Sequence, residues 1–254
     1  MTPAQMLRIQ LDDRALFLAR WREFLLQLLD ADALVGAPQR AEFRASLENW
    51  NGSASTDSSA YRLVRAFRDR TEGAVWTMLL NAMRIPPEEQ APIPEQFEHA
   101  LWLLIQRQPL HLLAARYRDW REFLLAQLDA TIVELRQTCS SLLDCRWGVR
   151  NTVAIRHPLS AALPLLGPLL DMPTLELPGD NDMPRVQDRE AGASERFAVS
   201  PGHEDQGYFH MPGGQSGHPL SPYYRAGFLE WAHGEPLPFL PGTAQHALML
   251  VPRR

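Results

Sequence analysis

Between positions 114 and 136 the apolar residues fall into a helical period. Tyr117, Trp120, Leu124, Leu128, Ile132 and Leu135 recur at spacings of three and four, so they line one face of a helix. The spacing predicts a helix from about Ala114 to Arg136 with that face turned to a core. The stretch from Asp13 to Leu29 is rich in Leu, Phe, Ala and Arg and contains neither Gly nor Pro. Ser58 to Leu80 and Glu95 to Gln106 read as helices too, with Pro86-Pro87 and Pro94 breaking the chain between them. Thr2-Pro3 is a helix start, a capping hydroxyl followed by a proline at the first helical position. Trp21-Arg22-Glu23-Phe24-Leu25-Leu26 recurs as Trp120-Arg121-Glu122-Phe123-Leu124-Leu125. The flanking residues do not continue the match, so two helices offering similar faces to one core are expected, not a repeat architecture.

After Trp147 the pattern changes. Of the 21 prolines 14 lie beyond residue 146, and so do 12 of the 15 glycines. Both residues interrupt helices and supply turns, which places long helices before that point and short strands with loops after it. Glu195 to Ser200 alternates as a strand, with Phe197 and Val199 on one side. Tyr208 to Met211 is a second short strand, and the run Ala247 to Val251, ended by Pro252, reads as a buried strand. Pro178-Gly179-Asp180-Asn181-Asp182 is a turn cluster. The expected organisation is therefore α+β: a helical region over 1–146 and a strand-and-loop segment over 147–254. Three strands so far apart look like additions to a sheet built mostly by other residues.

Composition narrows the function classes. An apolar fraction of 45% and a charged fraction of 22% are ordinary for a globular chain of 254 residues, and the length allows a substantial core. A net charge of −5 offers nucleic acid no basic surface. All 25 basic residues are arginine, which reads as codon bias before it reads as a recognition device. No stretch reaches the roughly 20 apolar residues of a membrane span. Met1-Thr2-Pro3-Ala4-Gln5 lacks the basic-then-apolar layout of a secretory signal. Cys139 and Cys145 are separated by five residues. A disulfide needs geometry that proximity does not supply, so two buried thiols are the expectation, with the bridge as alternative.

One stretch fits no secondary-structure requirement: Gly213-Gly214-Gln215-Ser216-Gly217, then Ser221-Pro222-Tyr223-Tyr224, then Trp231-Ala232-His233-Gly234. It resembles the C-terminal signature of the penicillin acylase (penicillin amidase) family, P-G-G-Q-S-G, S-P-x-Y and W-x-x-G. The resemblance runs through the chain in order: Ile9-Gln10-Leu11-Asp12, Leu47 to Gly52 with its Trp50-Asn51-Gly52, Trp147-Gly148, His157-Pro158-Leu159, Gly179-Asp180, Ala193-Ser194-Glu195-Arg196-Phe197, and Leu248 to Pro252. Each element is short, and their shared order makes the match specific. The chain departs from the family at Ala226-Gly227, where Asp-Gln is common.

The resemblance implies the C-terminal part of an acylase β-chain, completing part of an N-terminal nucleophile hydrolase αββα core. In that family a serine at the β-chain N-terminus attacks a linear amide, with its own α-amino group as general base. A backbone amide and an asparagine side chain form the oxyanion hole. The serine, the asparagine and the calcium carboxylates are all expected before residue 1. No catalytic, cofactor-binding or metal-ligating residue is therefore assigned here, and the chain alone is expected to be inactive and poorly soluble. Its partners would be the α-chain and the N-terminal part of the β-chain, with an N-acyl substrate in the full enzyme. The family implies a periplasmic or secreted location, with the signal in the missing part.

Local candidates compete with this reading. Ser216 is flanked by glycine, yet Gly214-Gln215-Ser216-Gly217-His218 lacks the last glycine of a nucleophile elbow. Thr2 would become an N-terminal nucleophile if Met1 were removed, but its place before Pro3 fits a helix cap. His203, Asp205, His210 and His218 fit no zinc spacing and read as solvated loop residues. Asp180 and Asp182 lack the order of an EF-hand loop. Trp21, Trp50, Trp120, Trp147 and Trp231 read as core, since no basic groove accompanies them. A different class of function, a non-enzymatic helical interaction module with a proline-rich tail, would make the region after Trp147 dispensable.

Overall fold

A computed structural model describes residues 1–244 and 246–252. The chain divides into two compact units, Arg14–Arg150 and a second that joins Met1–Asp13 to the chain from Asn151 onward.

The unit Arg14–Arg150 is helical. Its longer helices are Leu16–Leu28, Pro38–Glu48, Ser59–Ala82, Glu98–Arg107 and Trp120–Arg136. Ser59–Ala82 and Trp120–Arg136 pack together and against Pro38–Glu48. Side-chain caps explain where two of them begin. The Ser58 hydroxyl accepts the Tyr61 N–H at 3.1 Å, and Asp119 accepts the Glu122 N–H at 2.7 Å. The Glu122 carboxylate in turn accepts the Arg118 N–H at 2.8 Å. The Asp119 cap starts this helix at Trp120, not near Ala114 as the periodicity predicts. Tyr117 is left outside the helix and packs edge-on against Phe123, ring centres 5.3 Å apart.

The two Trp-Arg-Glu-Phe copies both serve this core. Trp21 and Trp120 are buried. Trp21 meets Phe67 and Trp102 edge-on at 6.1 and 5.3 Å. The Trp21 indole N–H donates to Glu98 at 2.8 Å, and the Trp120 indole donates to the Pro109 carbonyl at 3.2 Å. Glu98 also takes Arg68 through Nε at 2.9 Å and Nη2 at 2.8 Å, and Arg20. Burial raises the carboxyl of Glu98, but these bonds from Trp21, Arg20 and Arg68 outweigh it and hold the group below the ordinary glutamate value.

Cys139 and Cys145 form a disulfide with Cα atoms 5.3 Å apart, which overturns the expected pair of thiols. The reason lies in the turn between them. The Glu42 carboxylate accepts both the Ser141 hydroxyl and the Leu142 N–H at 2.8 Å. Cys145 N–H reaches back to the Leu142 carbonyl at 3.2 Å, folding the two sulfurs together. Beyond the bridge, Trp147 meets Tyr61 edge-on at 4.8 Å.

The second unit has little regular structure. Arg196–Ala198 and Tyr208–His210 pair antiparallel in the register Arg196↔His210, Phe197↔Phe209, Ala198↔Tyr208. Residues 237–239 flank the other edge: Phe209 N–H donates to the Leu237 carbonyl and Phe239 N–H to that of Gly207, both at 3.0 Å. The core beneath comprises Val153, Leu177, Phe228, Trp231 and Ala232. The N-terminal helix Pro3–Gln10 belongs to this unit. Gln10 donates to the Phe197 carbonyl at 3.1 Å and accepts the Tyr208 hydroxyl at 3.2 Å. Asp12 supplies the carbonyl for Arg185 N–H at 3.1 Å.

The terminal run does not form the buried strand that its composition predicts. Leu248 and Leu250 are each 87% exposed, and no ladder includes them among the described residues. An extended segment is buried only when a neighbouring strand takes up its backbone groups, and none pairs with this run among the described residues. The mixed, mostly helical architecture agrees with α+β.

Candidate functional site

Gly214, Tyr224, Trp231 and Gly234 of the signature serve packing and backbone bonding, while Gly217 has open space around it and Tyr223 is exposed. Gly214 donates its N–H to the Tyr224 carbonyl at 3.0 Å. A β-carbon there would lie 1.6 Å from the Tyr223 carbonyl oxygen, so only glycine fits. The Tyr224 hydroxyl donates to the Leu170 carbonyl at 2.7 Å, and Arg225 to that of Pro168 at 2.8 Å. The Trp-x-x-Gly element closes the short helix Phe228–His233. Trp231 is buried and donates its indole N–H to the Ala193 carbonyl at 2.8 Å. Gly234 takes φ of 80° and, with Glu235, bonds the Glu230 carbonyl at 2.8 and 2.9 Å. Gly227 starts that helix at φ of 82°, which gives the departure at Ala226-Gly227 a local backbone role.

Behind the signature, buried polar side chains gather backbone carbonyls. Asn151 is 1% exposed, and its Nδ2 reaches the carbonyls of Leu177, Gly179 and Gln187 at 3.0, 3.3 and 3.0 Å. The last carbonyls of the Phe228–His233 helix attract donors as its dipole favours. Ala232 accepts Arg185 Nη2 and Gln187 Nε2, both at 3.0 Å. Trp231 accepts Arg196 Nη1 at 3.1 Å.

Arg196 Nη1 also meets His210 Nδ1 at 3.2 Å, and His210 Nε2 meets the Glu235 carbonyl at 2.7 Å. A guanidinium only donates and a carbonyl only accepts, so Nδ1 is the acceptor and Nε2 carries the hydrogen. His210 is therefore a neutral ring in the folded chain. Burial lowers its pKa and the Arg196 charge adds to the effect, against opposing contributions from the Glu235 carbonyl and Glu230. Arg196 is brought down to about 10, by burial first and by the Arg185 charge second. Nothing in this cluster pairs a nucleophile with a base. Its chemistry is that of a buried scaffold.

The sequence candidates separate in space and role. His210 is fully buried in a strand, which corrects its assignment to a solvated loop. His203, Asp205 and His218 are exposed. Among the described residues no group of three His, Cys, Asp or Glu side chains could hold a metal ion. Ser216 Oγ accepts the His218 N–H at 3.2 Å, closing a turn. Thr2 caps the first helix: its hydroxyl accepts the Gln5 N–H at 3.3 Å, and the Gln5 side chain accepts the Thr2 N–H at 2.8 Å. Asp180 is buried and accepts the Asn181 N–H at 2.7 Å, beside Gly179 at φ of 91°. His157 caps the helix Pro158–Ala162 through Nδ1, which accepts the Leu159 N–H at 3.1 Å.

In the helical unit a concavity of about 280 Å³ is lined by Arg40, Arg118, Arg121 and Asp129 among others. Its arginines are engaged: Arg40 forks onto Asp129 at 2.6 and 2.7 Å, Arg121 bonds Asp30 at 2.7 Å, and Arg118 bonds Glu122 at 3.0 Å. Sequence reasoning missed Asn151, Gln187 and the Arg196–His210 pair, because polar residues in a loop-rich segment read as solvated.

Comparison with known proteins adds an independent finding. The family model described as penicillin amidase matches residues 1–247. The penicillin acylase 2 proenzyme of Pseudomonas sp. (strain SE83) is 24% identical over 222 residues, covering 84% of this chain and 28% of that protein.

Proposed function

The chain belongs to the penicillin amidase family, and from that we propose that it is the C-terminal scaffold of an acylase that hydrolyses a linear amide. The observation that carries this reading is the family match over residues 1–247, in a chain that spans only 28% of its Pseudomonas relative. The nucleophilic serine, the oxyanion asparagine and the calcium carboxylates belong, on this reading, to polypeptide outside these residues. So do the α-chain and the rest of the β-chain. The substrate is an N-acyl compound such as a β-lactam side-chain amide or an acyl-homoserine lactone, cleaved by an N-terminal nucleophile hydrolase. The local roles of Thr2 and Ser216 support the assignment, since one hydroxyl caps a helix and the other closes a turn.

A periplasmic or secreted location fits the Cys139–Cys145 bridge, because structural disulfides persist in oxidising compartments. No helix among the described residues is long and apolar enough to cross a membrane. Intact mass spectrometry after treatment with a serine-directed sulfonyl fluoride tests the catalytic assignment. The mass of the chain is expected to stay unchanged, and a single stoichiometric adduct on Ser216 or Thr2 would contradict it.

A further inference from the structure

The small sheet of the C-terminal unit is turned inside out. Side chains alternate across a strand, so Arg196, Tyr208 and His210 share one face while Phe197 and Phe209 share the other. The polar face is the buried one: Arg196 is 3% exposed, Tyr208 is buried, and the Pro3–Gln10 helix reaches this face through the Gln10–Tyr208 bond. The aromatic face is open. Phe197 is 48% exposed and Phe239, from the flanking segment, 36%. Their rings are stacked at 6.5 Å, with Phe209 6.4 Å from Phe197. Gly207 lies under Phe239, whose Cβ would be 3.0 Å from an added β-carbon, so the aromatic cover continues across three segments.

The sheet thus buries an arginine and a histidine while Phe197 and Phe239 stand open, with the half-buried Phe209 beside them, the reverse of the usual arrangement. We propose that the Phe197–Phe209–Phe239 face is the surface that seats against acylase polypeptide lying outside these residues. The occupant is an apolar face of that polypeptide. The observation that favours it over a second copy is that the chain covers only 28% of its acylase relative. This inference rests on the reading of the chain as an acylase scaffold.

The probe is the part of the Pseudomonas penicillin acylase 2 proenzyme outside the matched region, expressed as a separate chain. Its capture by the full chain is compared for wild type, the double variant Phe197→Asp/Phe239→Asp and the control Leu165→Asp, which replaces another exposed leucine. Circular dichroism verifies folding, and the milder pair Phe197→Ser/Phe239→Ser replaces the charged one if that fails to fold. The expectation is capture by wild type and control, reduced about tenfold or more by the face variants. Equal capture by wild type and face variants overturns the face while leaving the acylase reading intact. No capture by the wild type overturns both. A face variant whose only effect is to abolish a homodimer, seen by light scattering, assigns the patch to a second copy and also overturns the proposal.

Discussion

The two units solve the same problem by different means. Between Arg14 and Arg150 the backbone satisfies itself within helices, and apolar side chains such as Trp21, Phe67, Phe123 and Leu128 fill the space between them. From Asn151 onward the regular strands are only three residues long. Backbone carbonyls there would be stranded in the interior, and buried Asn151, Gln187 and Arg196, with half-buried Arg185, reach out to take them. One unit is stabilised chiefly by packing and the other by side chains that replace missing secondary structure. A family signature in the second unit can therefore be a record of packing constraints and need not mark reacting groups.

That contrast makes distinct demands on substitutions. Asn151→Ala removes the amide whose two N–H groups serve the buried Leu177 and Gln187 carbonyls at 3.0 Å and is expected to cost about 4 kcal/mol, since each such group is worth roughly 1–3 kcal/mol. Asn151→Leu should do no better, because volume is not what is lost. In the helical unit Trp120→Ala is expected to cost about 3–5 kcal/mol, while Trp120→Phe recovers most of it. Hydrogen–deuterium exchange resolved by peptide, combined with urea melts, locates each loss in its own unit. If Asn151→Leu matched wild type, the account of the C-terminal unit would be wrong.

Removing the bridge with Cys139→Ser/Cys145→Ser should destabilise the helical unit by about 2 kcal/mol, as expected for a short closed loop. Thiol titration of the unfolded wild type without reductant should find no free thiol, and two after reduction. Two free thiols before reduction would return the pair to the buried state that the sequence suggests.

The smallest effect concerns pH. His210 has its pKa lowered in the folded chain, below its ordinary value of 6.5, chiefly by burial. As pH falls through 6.5 the unfolded chain takes up a proton that the folded ring refuses, so stability falls between that value and the lower native one. The slope cannot exceed about 1.4 kcal/mol per pH unit for one proton. His210→Gln keeps a donor for the Glu235 carbonyl and should flatten the decline between pH 7 and 5. Thermal melts across that range settle the sign, and an unchanged slope in the variant would assign the decline to other groups.

Helices were legible where the apolar period is long and caps are local, as at Ser58 and Thr2. The start at Trp120 was misplaced because the cap at Asp119 overrides a period that continues through Tyr117. The sheet shows the opposite limit. Arg196-Phe197-Ala198 announces a strand, yet its alternation carries no statement of which side is inside. The usual assumption turns Phe197 inward and leaves Arg196 and His210 in solvent, the reverse of what is found. The run Ala247 to Val251 fails for a related reason, since burial of a strand depends on a neighbour that its own residues do not encode. Bridging of Cys139 and Cys145 needs a turn made by Glu42, nearly a hundred residues away.

Steady-state hydrolysis by the purified 254-residue chain is the sharpest check that these residues are scaffold. With a chromogenic N-acyl anilide, a penicillin and an acyl-homoserine lactone as substrates, no turnover above the uncatalysed rate is expected. Saturable turnover that disappears in Ser216→Ala or Thr2→Ala would contradict the account.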